Sequence, residues 1–154
     1  IAIAEMGMTS DGAHQALLFA GDPAESATPV PIPLRYKPPQ GYRPTDAVAL
    51  DDRRLLVVNR RLTLQNLFTA TIAIVDLPGK LAPGATLKAR TLARLAPPLL
   101  ADNFEGIAIS RERGRTMLWV ISDDNHEFFQ RTLLLKFGLA DQPFAKPKGA
   151  RVPR

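Results

Sequence analysis

Short apolar segments separated by polar turns run along most of the chain. Examples of the apolar segments are "RLLVVN", "FTATIAIVDL", "GIAIS" and "TMLWVIS", and the turns between such segments include "DDRR", "PGKLAPG" and "RERGR". Apolar runs of this length, bounded by Gly, Pro and charged residues, are typical of β-strands. No long segment places apolar residues at the helical spacing i, i+3, i+4, i+7. The pattern therefore predicts an all-β protein.

The strand pattern repeats along the chain. "TDAVALDDRRLLVVN" aligns with "FEGIAISRERGRTMLWVIS" when "DAVAL" is laid over "EGIAI", which places Asp46 on Glu105. "ATIAIVDL" then matches "TLLLKFGL", and "TLKARTLARL" provides a fourth strand between the two units. "IAIAE", "QALLFAGD" and "TPVPIPLRY" fit strands two to four of a preceding unit. Four-strand units in series predict a β-propeller of four-stranded antiparallel blades, and the alternative is a sandwich of about ten strands.

The repeat also predicts how the domain is organised. Residues 1–140 form about two and a half blades, with blade boundaries near residues 44 and 103, and residues 141–154 form a basic C-terminal tail. We expect the chain to be the C-terminal part of a longer propeller, since its last unit lacks a fourth strand. Soluble proteins avoid long unpaired strand edges, so the missing N-terminal part of the same protein is expected to supply that strand.

Composition narrows the function classes. The net charge of +5 allows an anionic partner, although a solvated basic surface is the more common cause, and no basic run is interleaved with aromatic residues as a nucleic-acid surface would require. The absence of Cys excludes disulfides and thiolate metal sites. No apolar run approaches the roughly 20 residues of a membrane span. The nucleophile elbow "GxSxG", the P-loop and the dinucleotide fingerprint are all missing, which argues against a serine esterase triad.

Several segments together resemble a known family. "YRPTDAVAL", "LLVVNRR", "DNFEGIAIS", "LWVISDDN" and "QRTLLLKFGL" are similar to segments of the esterase-like phytase domain, a bacterial propeller family. The resemblance extends to about Leu139 and leaves out the tail "AKPKGARVPR". It implies a β-propeller that is exported to the periplasm or secreted, and a hydrolase of phosphorylated or ester substrates.

Acidic residues recur at one predicted face of the blades. Strands of a blade alternate in direction, so the start of strand 1 and the end of strand 2 lie at the same face, near the central channel. Carboxylate oxygens at such an opening suit Ca²⁺, which takes six to eight oxygen ligands. The alternative is that the acids before strand 1 accept backbone N–H groups and fix the turns between blades. The candidate metal ligands are Asp46, Glu105, Asp123 and Asp124.

The same face carries cationic and amide side chains. Arg offers a planar fork of donors that matches phosphate or carboxylate oxygens. The alternative is a structural network of arginines and acids, or an ordinary solvated turn. The candidate substrate-binding residues are Arg43, Asn59, Arg60, Arg61 and Asn125.

Two classes of function follow from these residues. The first is a hydrolase that cleaves a small anionic or ester substrate at the channel mouth, with or without Ca²⁺. The second is a non-catalytic propeller that binds a small anion, a glycan or a protein at the same face. The sequence does not separate the two.

Overall fold

A computed structural model of the chain describes residues 1–25, 30–65 and 67–140. These residues form eleven β-strands and contain no helix. The described part of the chain therefore has no helix that is long and apolar enough to cross a membrane. The strands are β1 (Ala2–Met8), β2 (His14–Leu18), β3 (Ile32–Lys37), β4 (Arg43–Asp51), β5 (Arg54–Thr63), β6 (Leu67–Asp76), β7 (Thr86–Lys88), β8 (Arg90–Leu95), β9 (Phe104–Glu112), β10 (Arg115–Ser122) and β11 (Leu134–Gly138).

The strands form three sheets that follow one another along the chain. The first sheet has the order β1-β2-β3-β7, the second β4-β5-β6-β8, and the third β11-β10-β9. Every pairing is antiparallel except that of β3 with β7. The predicted all-β fold of propeller blades is confirmed: the second sheet is a four-stranded antiparallel blade, and the third supplies three strands of the next.

The segment "TLKARTLARL" departs from the predicted single fourth strand. It divides at Ala89 into β7, which pairs in parallel with β3, and β8, which pairs with β6. Backbone hydrogen bonds extend the β7 ladder on both sides, from the Gly84 N–H to the Pro33 carbonyl at 2.8 Å and from the Ala89 N–H to the Lys37 carbonyl at 3.1 Å. One continuous segment therefore covers the outer edges of two successive sheets.

The second sheet is packed on both faces. Side chains alternate along β5, so Leu56 and Val58 face the third sheet while Val57 faces the first. All three have no exposed surface. Burial of an aliphatic side chain of this size stabilises the fold by about 1.5–3 kcal/mol. Apolar contacts on both faces thus hold the second sheet between the first and the third, and they fix the ends of its strands relative to both neighbours.

The strand pairing corrects the predicted register of the repeat. The alignment of "LLVVN" with "LWVIS" makes Val58 and Ile121 equivalent, and these residues pair with Asp46 and Gly106, respectively. Asp46 is therefore equivalent to Gly106, and not to Glu105. Glu105 lies in a β-bulge beside Gly106, where the pairing register shifts. The position of Glu105 is matched by Thr45, which lies in the equivalent bulge of β4, so the two acids do not occupy equivalent positions in their blades.

Candidate functional site

Arg60, near the end of β5, connects all three sheets. One terminal guanidinium nitrogen, Nη1, donates to Glu105 Oε1 at 2.5 Å and also to the side-chain oxygen of Asn103. The other, Nη2, donates to Glu5 Oε1 at 2.7 Å. The guanidinium carbon lies 5.6 Å from the centre of the Phe68 ring. We call Glu5, Arg60, Asn103 and Glu105 the Arg60 cluster.

Strand alternation determines which of the two adjacent arginines enters this cluster. Arg60 lies on the same face of β5 as the buried Val58, whereas Arg61 points to the opposite face. The Arg61 guanidinium carbon lies 4.9 Å from the centre of the Tyr42 ring. Arg61 therefore packs against an aromatic side chain on the face of β5 opposite to the cluster.

The ionisation of Glu105 is shifted by its surroundings. Partial burial raises the pKa of the Glu105 carboxyl group, while the charge of Arg60 lowers it and the charges of Glu5 and Asp123 raise it further, with a net upward shift. Burial outweighs the ion pair because the carboxylate has lost part of its hydration. A glutamate with a raised pKa takes up a proton more readily than an ordinary one, which suits a general acid or base.

Asp46 joins the second sheet to the third. Its Oδ2 atom accepts the backbone N–H of Ile107 at 2.9 Å, and its Oδ1 atom accepts the N–H of Ala47 at 2.7 Å. Next to it, the Thr45 hydroxyl donates to the Phe104 carbonyl oxygen at 3.0 Å. The geometry of Asp46 therefore matches the alternative that this acid fixes the contact between blades.

The loop after β10 uses its acidic side chains to stabilise its own turn. Asp123 Oδ1 accepts the backbone N–H of Asn125 at 3.0 Å, and Asp124 Oδ1 accepts that of His126 at 3.0 Å. Asp124 Oδ2 also accepts the Thr132 hydroxyl at 3.2 Å. The hydrogen bond from the His126 N–H is the main cause that lowers the pKa of Asp124, and the hydrogen bond from Thr132 lowers it further. The Asp124 carboxylate is thus used within the loop.

Backbone contacts attach this loop to the Arg60 cluster. The Asp123 N–H donates to the Asn103 carbonyl at 3.0 Å, and the Asn103 side-chain amide donates to the Asp123 carbonyl at 3.2 Å. The Asn125 amide points elsewhere and donates to the Gln130 side-chain oxygen at 3.0 Å. Asp123 therefore lies near Glu105, while Asn125 helps to close its own loop.

The four acids predicted to bind a metal are not gathered into one set. Across residues 1–25, 30–65 and 67–140, no group of three or more His, Cys, Asp or Glu side chains is arranged to hold a metal ion. Backbone donors occupy Asp46, loop donors occupy Asp124, and Arg60 occupies Glu105. Because these carboxylates already have other partners, they fit Ca²⁺ poorly as ligands. Calcium binding stays a prediction.

Two further candidate binding residues occupy contrasting environments. Arg43 is exposed and pairs directly across from Arg60 in the β4–β5 ladder. Its guanidinium contacts the Met6 sulfur at 3.9 Å and has no carboxylate partner in the described part of the chain. Asn59 is completely buried and accepts the Tyr36 hydroxyl at 2.8 Å. Arg43 is therefore open to a ligand, whereas Asn59 stabilises the contact between the first and second sheets.

A cleft that the sequence analysis missed lies beside the cluster. It has a volume of about 210 Å³ and is formed by the start of β6, the segment before β9 and the loop before β11. The buried Asp102 pairs with Arg131 at 3.5 Å along its wall. Apolar residues within polar loops, in "PPLLA" and "EFF", were the available sequence signal. The lining residues are Leu67, Phe68, Pro97, Leu99, Leu100, Ala101, Asp102, Phe129, Gln130 and Arg131.

Comparison with known proteins identifies the family. Residues 1–126 match the model of the phytase-like family, which is described as "esterase-like activity of phytase". The match includes the whole Arg60 cluster and ends before Phe129 and Arg131. No curated protein and no solved structure matches the chain. Because the family model covers more than half of the sequence, this chain belongs to the phytase-like family, a hydrolase-like family.

Proposed function

We propose that this chain provides the active face of a hydrolase that cleaves a phosphorylated or carboxylic ester beside the Arg60 cluster. The observation that carries the proposal is the placement of Glu105. Its carboxyl group is partly buried, has a raised pKa, and is fixed by Arg60, whose guanidinium lies over Phe68 in the wall of the neighbouring cleft. A positioned carboxyl group of this kind donates a proton to a leaving oxygen, or accepts one from an attacking water molecule.

The two arginines of this face have different roles in the proposal. Arg60 is committed to Glu5 and Glu105 through both of its terminal nitrogens, so it positions the acid. Arg43, exposed and without a carboxylate partner among the described residues, is the group that binds an anionic oxygen of the substrate.

A hydrolysis assay with matched variants tests the proposal. The full chain is incubated with phosphate esters and with carboxylic esters, each in the presence of Ca²⁺ and of a chelator. Glu105→Gln is expected to lower kcat at least about 100-fold, which is the usual contribution of a general acid or base. Glu112→Gln is the control, because Glu112 lies at the opposite end of β9 and pairs with Lys136. Equal rates in the two variants, or no turnover of any ester, would overturn the proposal.

A non-catalytic propeller is the second candidate. It is favoured because the carboxylates of Glu5, Asp46 and Glu105 all accept hydrogen bonds from other groups of the protein. In that case an anion, a glycan or a protein binds at this face without turnover. Calorimetric binding of inorganic phosphate that is weakened by Arg43→Gln, together with the absence of hydrolysis, would support it.

Completion of the propeller by another part of the same protein belongs to the proposal. In the first and second sheets a later strand covers the outer edge, through β7 and β8, while no described strand covers the outer edge of β11. An added strand would satisfy the free backbone groups of that edge. Export to the periplasm or the medium also remains a prediction, and cell fractionation would test it.

A further inference from the structure

Exposed apolar side chains gather around the cleft beside the Arg60 cluster. Leu67, Leu99 and Phe129 are 52%, 63% and 47% exposed, and they come from the start of β6 and from two separate loops. Scattered exposed leucines are common, but a group that surrounds a concave site is typical of a binding surface. The cleft lies between the second and third sheets, and all of its lining residues belong to the described part of the chain.

A cationic side chain stands at the wall of this cleft. Arg131 uses its Nε atom to contact Asp102 at 3.5 Å, and its terminal nitrogens have no partner in the part of the chain that the structure describes. Asp102 is only 5% exposed, so it anchors the arginine from below. The terminal guanidinium edge therefore remains available to an anionic oxygen.

We propose that the cleft binds a small molecule that combines one compact apolar group, about the size of an aromatic ring, with an anionic head held by Arg131. The volume supports the size of the apolar group. An apolar cavity of about 150 Å³ accommodates benzene, and this cleft measures about 210 Å³. The unpartnered edge of Arg131 supports the anion, because guanidinium binds carboxylate and phosphate oxygens in a planar fork.

A protein partner fits the cleft less well. Stable protein interfaces bury about 800 Å² on each side, and this site is a concave cleft with room for a single ring. The inference concerns binding alone and uses none of the four residues of the Arg60 cluster. It is therefore independent of whether Glu105 acts in hydrolysis.

A titration with simple probes separates the two parts of the ligand. Benzoate and phenyl phosphate are titrated into the ¹⁵N-labelled full chain and followed by NMR. We expect saturable shifts at the amides of residues 99–102 and 129–131. Benzyl alcohol, which lacks the anion, and acetate and inorganic phosphate, which lack the ring, are expected to bind at least about tenfold more weakly, the factor that corresponds to one good contact. Benzoate binding no tighter than acetate would overturn the proposal.

Variants identify the groups that bind each part. Arg131→Gln is expected to weaken benzoate about tenfold and to leave benzyl alcohol unchanged, while Leu99→Ala weakens both. Leu64→Ala and Arg94→Gln are the matched controls, since both side chains are exposed and neither lines the cleft. Thermal unfolding confirms that each variant is folded. The proposal would be overturned if the control variants lost as much affinity for benzoate, or if the NMR shifts were confined to the Arg60 cluster. Shifts that depend on protein concentration, as self-association would give, would also overturn it.

Discussion

Replacement of Arg60 by Met tests whether this residue holds the three sheets together. The substitution keeps an apolar stem of similar length over Phe68 and removes the guanidinium group. It leaves Glu5 and Glu105 without their cationic partner. We expect a loss of stability that is larger than for any exposed arginine of the same face.

The size of the loss follows from the exposure of the partners. The Arg60 side chain is 19% exposed, and those of Glu105 and Glu5 are 32% and 40% exposed. Hydrogen bonds to partly buried charges contribute about 1.5–3 kcal/mol, while solvent-exposed ion pairs contribute under about 1 kcal/mol. Taking the lower end of the first range for Glu105 and about half of the second for Glu5 gives a loss of about 2 kcal/mol.

Urea denaturation at several pH values measures this loss. The control is Arg43→Met, for which we expect under about 0.5 kcal/mol, because Arg43 is exposed and has no carboxylate partner among the described residues. The cost of Arg60→Met should shrink as the pH falls through the glutamate range, because protonated carboxyl groups no longer need the cation. Equal losses for both arginines, or a loss that does not change with pH, would refute the reasoning.

Three further predictions concern single contacts. Since the folded-state pKa of Glu105 is raised above 4.5, the native state binds its proton more tightly than the unfolded state, and wild-type stability should fall as the pH rises from 4.5 through the folded pKa. Glu105→Gln should make stability depend less steeply on pH in urea titrations. Parallel pH dependences for the two proteins would contradict the shift. Asp46→Ala leaves the Ile107 N–H without its acceptor and should cost about 1–3 kcal/mol, with a smaller loss for Asp46→Asn, which keeps an oxygen; equal losses would argue against this contact. Tyr36→Phe removes the donor to the buried Asn59 oxygen and should lower the unfolding free energy by about 1–2 kcal/mol, and an unchanged denaturation midpoint would exclude that bond.

Local patterns were sufficient to predict the sheets but not their register. The short apolar runs "RLLVVN" and "TMLWVIS", each bounded by polar turns, predicted β5 and β10. The register of "DAVAL" against "EGIAI" is set by which residues pair across each hairpin. β4 and β9 each carry a bulge at this point, at Thr45 and at Glu105, so Thr45 is the equivalent of Glu105. A bulge is a backbone feature without a clear residue signature. The predicted equivalence of Asp46 and Glu105 failed for this reason.

The candidate site was predicted in outline and not in its contacts. Blade geometry placed Arg60 and Glu105 at the same face, but the choice of Arg60 over Arg61 required counting the alternation from the buried Val58. The cleft could not be predicted, because three segments far apart in the sequence form its walls. Which loops meet depends on how the sheets pack, and no local pattern carries that information.

The split of residues 86–95 into β7 and β8 has a consequence for the order in which the protein opens. β7 is hydrogen-bonded to β3 of the first sheet, and β8, beginning two residues later, is bonded to β6 of the second. Neither sheet can release its outer strand without pulling on the other, because Ala89 alone separates them. Native-state hydrogen exchange should therefore report a shared opening energy for the outer edges of these two sheets, as for a single cooperative unit. The outer edge of β11 has no such link among the described strands, so its amides should exchange earlier and independently.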